Sequence, residues 1–218
     1  MRQVVDTDRQ PDVLDDRAWV GAGADGRWGT FFRFELNRDE FLVAPGLRLQ
    51  RFRPRYYVEA SPGSFFNFVS LDVNSGGEVD FANARPARGT TLSTNLTLRP
   101  GPHLETALLG TRRWLNVDAP DGRDARLFLA DVGRVRATYM FNARSFVRLI
   151  GQYEKTTRDN TLYANTGVRR KVADFTSSAL FAYKLNWQTV LYAGYGDARD
   201  YLTSSDRLEK AGRQAFTK

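Results

Sequence analysis

Along residues 145–156 the side chains sort with a period of two. Val147, Leu149, Gly151 and Tyr153 fall on one side of an extended chain, and Arg148, Ile150, Gln152 and Glu154 on the other. That period belongs to a β-strand with one apolar and one largely polar face, and it excludes an amphipathic helix. The pattern recurs nearby. In 176–185, Ala179, Phe181, Tyr183 and Leu185 oppose Ser178, Leu180, Ala182 and Lys184; in 126–141, Val135, Ala137, Tyr139 and Phe141 oppose Arg134, Arg136 and Thr138. The three-residue connector Asn142, Ala143 and Arg144 pairs Tyr139 with Val147 and Ala137 with Leu149, so the apolar faces coincide across the hairpin.

The same reading gives strand candidates at 17–24, 27–37, 47–60, 64–74, 77–84, 90–98, 104–114, 126–141, 145–156, 176–185, 189–196 and from 212 onward. The predicted fold is therefore all-β and antiparallel, with about twelve strands over 17–218, after a lead-in or linker at 1–16. In the second half the connectors alternate in length. The turns at 99–103, 142–144 and 186–188 are short, and the stretches at 115–125, 156–175 and 197–212 are long and polar. Short turns at one end and long loops at the other are the habit of an outer-membrane barrel.

A soluble sandwich or a lipocalin-like barrel shows the same alternation, with the apolar face turned inward. Aromatic placement separates the two. Trp114, Tyr153 and Tyr195 stand beside the long connectors, and Tyr139, Phe141, Tyr183 and Trp187 beside the short turns. Two aromatic belts around a Val/Leu/Ala middle match the interfacial girdles of a membrane protein. The expectation is an up-and-down transmembrane β-barrel, a fragment of a larger one, serving as a pore or scaffold that passes or handles anionic or carbohydrate solutes. Its lumen would be lined by Arg134, Arg136, Arg148, Gln152, Glu154 and Lys184, and outer-membrane lipid and lipopolysaccharide would be its surroundings.

Composition agrees without deciding. No run approaches the roughly 20 apolar residues of a transmembrane helix. The mean hydropathy of −0.47 excludes a helical membrane protein but not a barrel, whose strands average to mild values. The formal charge is +7, which suits lipid phosphates, anionic solutes or nucleic acid. There is no cysteine, hence no disulfide frame and no thiolate metal site. The polar, acidic start has no apolar signal core, so the chain is expected to be part of a longer precursor.

Several segments resemble a known family: TTLSTNLTLRPGPHLETALLGTRRW from Thr90, RLFLADVGRVRATYMFNARSFVRLIGQYEK from Arg126, and FTSSALFAYKLNWQTVLYAGYGD from Phe175. The Tyr139–Asn142 turn leading into Arg148, Gln152 and Tyr153, and the run Tyr192–Tyr195, carry most of it. They are similar to the C-terminal barrel domain of Gram-negative envelope proteins. In that family a carbohydrate-binding family-9-like domain precedes a C-terminal domain of unknown function that is predicted to sit in the outer membrane. The resemblance implies location and architecture, with the carbohydrate-binding domain lying outside this chain. It also implies a last strand running on to a terminal aromatic, beyond Phe216, Thr217 and Lys218.

No constellation points to catalysis, a metal or a cofactor, and no enzyme is expected. His103, the single histidine, sits in a turn without a nucleophile elbow. The carboxylate pairs Asp15 with Asp16, Asp72 with Asp80 and Asp121 with Asp124 lack calcium-loop spacing. The glycine-rich 21–29 lacks the Lys-Ser/Thr of a phosphate loop and reads as a hairpin. Arg51, Arg53 and Arg55 share a parity that Arg48 does not, which suits a lumen-facing ladder better than a nucleic-acid surface built with Phe52, Tyr56 and Tyr57. The competing reading of the whole chain is a soluble basic β-barrel module for nucleic acid or anionic ligands; nucleic acid is not the expected partner.

Overall fold

The computed structural model describes residues 2–5, 13–44, 47–165 and 167–218. Among the described residues twelve strands run in sequence order: β1 Arg2–Val5, β2 Val13–Asp25, β3 Phe31–Ala44, β4 Leu47–Ala60, β5 Phe66–Asp80, β6 Arg85–Gly101, β7 Leu104–Asp118, β8 Asp124–Asn142, β9 Ser145–Arg158, β10 Lys171–Lys184, β11 Val190–Leu202 and β12 Arg207–Thr217. Each pairs antiparallel with the next, giving one up-and-down sheet with β1 and β12 at its edges. The sheet is not closed: β1 and β12 are not neighbours in it. Among the described residues the only helical pieces are two single 3₁₀ turns, Arg27–Gly29 and Asn160–Leu162.

Register in the second half is the one the alternation requires. Tyr139 pairs with Val147, Ala137 with Leu149, Arg136 with Ile150 and Thr138 with Arg148. The ladder continues through Leu149–Ala179 and Phe181–Ala193. One face therefore carries Val58, Val69, Leu71, Leu96, Val135, Leu149, Phe181 and Leu191. The other carries Glu35, Asp39, Arg51, Arg53, Arg55, Asp72, Glu78, Arg134 and Arg148.

Over β3–β5 the polar face is the enclosed one. Ser70 is 4% exposed, whereas its chain neighbours Val69 and Leu71, on the apolar face, are 38% and 37% exposed. Leu149 and Leu191 are about half exposed, yet Asp39 and Glu78 are buried. A soluble sandwich has the opposite arrangement. The polar side is not purely polar, since Leu109, Ile150, Leu180 and Phe216 share it.

Three expectations are corrected. The strands expected at 64–74 and 77–84 are one strand, β5, because Ser75, Gly76 and Gly77 bend it instead of turning it. Gly76 has φ +136°, and a Cβ there would lie 2.4 Å from the Phe52 carbonyl oxygen, so only glycine fits that approach. Second, most of the long connectors are strand. The loops shrink to 119–123, 159–170 and 203–206, and only 159–170 is long. Polar residues there sit in a regular ladder and bond across it; Arg88, on β6, donates to Asp118 and Asp124. Third, Arg2–Val5 and the chain from Val13 are strand where a lead-in was expected; residues 1 and 6–12 of that lead-in, and the side chains of Asp15 and Asp16, lie outside what the structure describes.

Candidate functional site

Alternation places Arg51, Arg53 and Arg55 of β4 side by side on the enclosed face, and neighbouring strands supply their counter-charges. Asp39 of β3 accepts from Arg51 Nε and Arg53 Nη2, both at 2.9 Å. Glu78 of β5 accepts from Arg51, lies 3.5 Å from Arg53 Nη1, and is approached by Arg113 Nη2 of β7 at 3.6 Å. Arg55 is held by Asp72 at 2.5 Å and by Glu35 at 3.3 Å. Asp39 and Glu78 are 5% and 7% exposed, and polar groups so covered are costly unless they have such partners. This half of the face is closely neutralised.

Beside this network a cleft of about 340 Å³ opens on the enclosed face, lined by Glu35, Asn37, Arg53, Arg55, Asp72, Asn74, Thr91 and Ser93. Two buried polar atoms of its lining, Arg53 Nε and Asn74 Oδ1, have no hydrogen-bond partner among the described residues.

Further along the face the arginines stand differently. Arg134 of β8 makes no ion pair among the described residues. Arg136 reaches Glu105 only at 3.8 Å, and Arg148 donates to the neutral Thr138 hydroxyl at 3.3 Å. Gln152 lies opposite Arg134 and bonds Glu154, while Lys184 is exposed at the end of β10. The six residues expected to line a lumen fall on the polar side of the sheet by register, where Arg134, Arg136, Glu154 and Lys184 are exposed, and Arg134, Arg136 and Arg148 form a little-neutralised cationic stretch across β8 and β9.

Residues 159–165, between β9 and β10, fold over the polar face at the end opposite the short turns. Leu162 and Tyr163 pack on Ala87, Leu115, Val117 and Leu127, an apolar cluster amid polar surroundings. Arg85 Nη2 donates to the Leu162 carbonyl at 2.7 Å, and the Ala164 amide donates to Asn83 Oδ1 at 2.8 Å, tying the loop to the β5–β6 turn. Asp159 starts the 3₁₀ turn by accepting from the Thr161 hydroxyl and amide, which holds its carboxyl below the ordinary value. Burial pushes the Tyr163 phenol above its ordinary value. Nothing in the polarity of 156–175 marks it as a loop that turns inward, although Leu162 and Tyr163 are its apolar signal.

The seven aromatics expected as girdles lie as follows. Trp114, Tyr153 and Tyr195 sit on the apolar face toward the 159–170 end, and Tyr139, Phe141 and Tyr183 on it toward the short turns; Trp187 stands in the 185–189 turn, 81% exposed. Phe32, Phe52 and Tyr56 join the same face from β3 and β4. His103 is exposed and meets the Met140 carbonyl through Nδ1 at 2.8 Å. Among the described residues no group of His, Asp or Glu is arranged to hold a metal ion.

No protein-family model matches the chain, and no curated protein matches it. Among solved structures it is similar to the NanC porin in a rhombohedral crystal form, at 10% identity and a TM-score of 0.39, over 94% of this chain and 91% of that one.

Proposed function

We propose that this chain is the wall of an outer-membrane β-barrel whose water-filled interior handles anionic solutes. The observation that carries the reading is the inverted burial of the sheet: Val69, Leu71, Leu149 and Leu191 face outward while Asp39 and Glu78 are covered. A continuous apolar band of this extent in water is a liability. Lipid outside and water inside satisfy both faces. The same observation opposes a soluble basic binding module, which would turn the apolar face inward.

Several features follow from the reading. Lipid offers no hydrogen-bond partner, so the β1 and β12 edges must be satisfied in the membrane. The short turns lie on the periplasmic side and loop 159–170 at the outer mouth, with lipid and lipopolysaccharide around the apolar band. Arg134, Arg136 and Arg148 give the interior its anion preference. The family resemblance adds a carbohydrate-binding domain elsewhere in the polypeptide as a partner, and the reading assigns no catalysis.

Partitioning tests the membrane part. The folded protein should require detergent and run faster unheated than heated on denaturing gels. A monodisperse monomer in detergent-free buffer would refute it. Reversal potentials in planar bilayers test the anion part: the preference should invert when Arg134, Arg136 and Arg148 become Glu, and a preference indifferent to those changes would remove it.

A further inference from the structure

The cationic stretch on β8 borders a second cleft, of about 320 Å³, on the polar face across β5–β8. Its lining has two parts. Phe68, Ala107 and Leu109 are apolar side chains that register turns to the polar side, and Arg134 and Arg136 stand beside them. Asn95 and Thr97 add neutral polar groups from β6. Among the described residues that line it there is no carboxylate.

The two arginines are open to a ligand. Both are exposed, and the Arg134 side chain has no hydrogen bond or ion pair among the described residues. Arg136 reaches only Glu105, at 3.8 Å, and that carboxylate already accepts from Arg99 Nε at 3.0 Å and Nη2 at 2.8 Å. In the β3–β5 cleft, by contrast, Arg53 and Arg55 are held by Asp39, Asp72 and Glu35. The apolar part is open as well: Leu109 is 40% exposed and Phe68 half-buried. An open guanidinium favours an anion, and uncovered apolar surface beside it favours a ligand with a hydrocarbon body. An inorganic anion would satisfy only the first, and a neutral apolar solute only the second.

We propose that this cleft binds a small organic monocarboxylate with an aromatic or short alkyl body, its carboxylate on Arg134 and its body against Phe68 and Leu109. The guanidinium offers a planar fork of donors that matches a carboxylate, and Arg136 adds a like charge nearby. At about 30 Å³ per non-hydrogen atom, the share of one water, the cleft holds about ten such atoms, the size of a substituted benzoate. Apolar walls with a few placed polar groups are the usual make-up of a small-molecule site. The proposal rests on the reading above in placing this face in water, and it narrows the anionic solute to one class.

The test is fluorine NMR of para-fluorobenzoate titrated into the full chain in non-ionic detergent micelles, with empty micelles as the blank. Binding should saturate with a Kd on the order of millimolar. The neutral para-fluorobenzamide should bind about tenfold more weakly, and sulfate at equal concentration should not displace the benzoate. Arg134→Gln should weaken the benzoate about tenfold and leave the amide unchanged. Leu109→Thr keeps a strand-forming residue and every charge, and should weaken both probes about fourfold, which keeps the proposal testable if Arg134→Gln does not fold. No saturable signal above empty micelles, equal binding of the amide, displacement by sulfate, or binding unchanged in both variants would each overturn it. Reversal potentials respond to charge alone, so the two readings fail separately. Anion preference without saturable para-fluorobenzoate binding removes this site and leaves the pore reading; saturable binding in a pore indifferent to charge reversal does the opposite.

Discussion

Leu149 and Ile150 are adjacent in β9 but meet opposite solvents in the proposed arrangement. Leu149 is 52% exposed on the apolar face, paired with Ala137 and Ala179, between the levels of Val147 and Tyr153. Ile150 lies on the enclosed face, paired with Arg136 and Ser178. An arginine near the bilayer midplane costs about 2–4 kcal/mol. At position 150 its charge reaches water and meets only the like charges of Arg136 and Arg148, a cross-strand penalty of roughly 0.2–1 kcal/mol. Leu149→Arg should therefore be worse than Ile150→Arg by about 1–3 kcal/mol, or roughly one to two orders of magnitude in the folding equilibrium. Reversible urea titration of each variant in phospholipid vesicles, followed by tryptophan fluorescence, measures the difference. Equal losses, or a larger loss at Ile150, would refute the assignment of faces and with it the lipid-facing band.

Two further outcomes rest on the β3–β5 region. Glu78→Gln removes one of the two carboxylates that hold Arg51 and Arg53, which keep Asp39, and should lower stability by about 1–3 kcal/mol; an unchanged urea midpoint would show that Glu78 is not part of the network. Gly76→Val forces a Cβ against the Phe52 carbonyl at a left-handed φ. It should cost about 1–3 kcal/mol, and wild-type stability would show that β5 does not bend there.

Period-two alternation was sufficient for the faces. β4 runs over 47–60 as the sequence predicts, and Tyr139 opposite Val147 follows from a three-residue connector. Strand ends were not legible, because ladder hydrogen bonds are made by the backbone and tolerate polar side chains. Asp118, Asp124 and Arg88 read as loop composition, yet bond to one another within strands. Ser75, Gly76 and Gly77 carry turn chemistry, and only the nearness of Phe52 shows them to be a bend. The shared parity of Arg51, Arg53 and Arg55 was visible, but their partners Asp39, Glu78 and Asp72 lie on other strands. Local patterning cannot assign such pairs. The unmet atoms of Arg53 and Asn74 were beyond reach for the same reason.

The pairing of β4 with β5 is brief: six residue pairs, Arg55–Ala60 with Val69–Asn74, and no further rungs toward Leu47. A slip of two residues along such a short zipper returns every side chain to its own side, so the apolar band raises no objection to misalignment. The charges do. Sliding β4 by two places along β5 sets Tyr57 where Arg55 meets Asp72 in one direction, and Leu49 where Arg51 meets Glu78 in the other. Enclosed ion pairs add little net stability but can distinguish one alignment from its near-copies. Here they supply, at the shortest seam between long strands of the sheet, the alignment information that backbone pairing leaves unspecified.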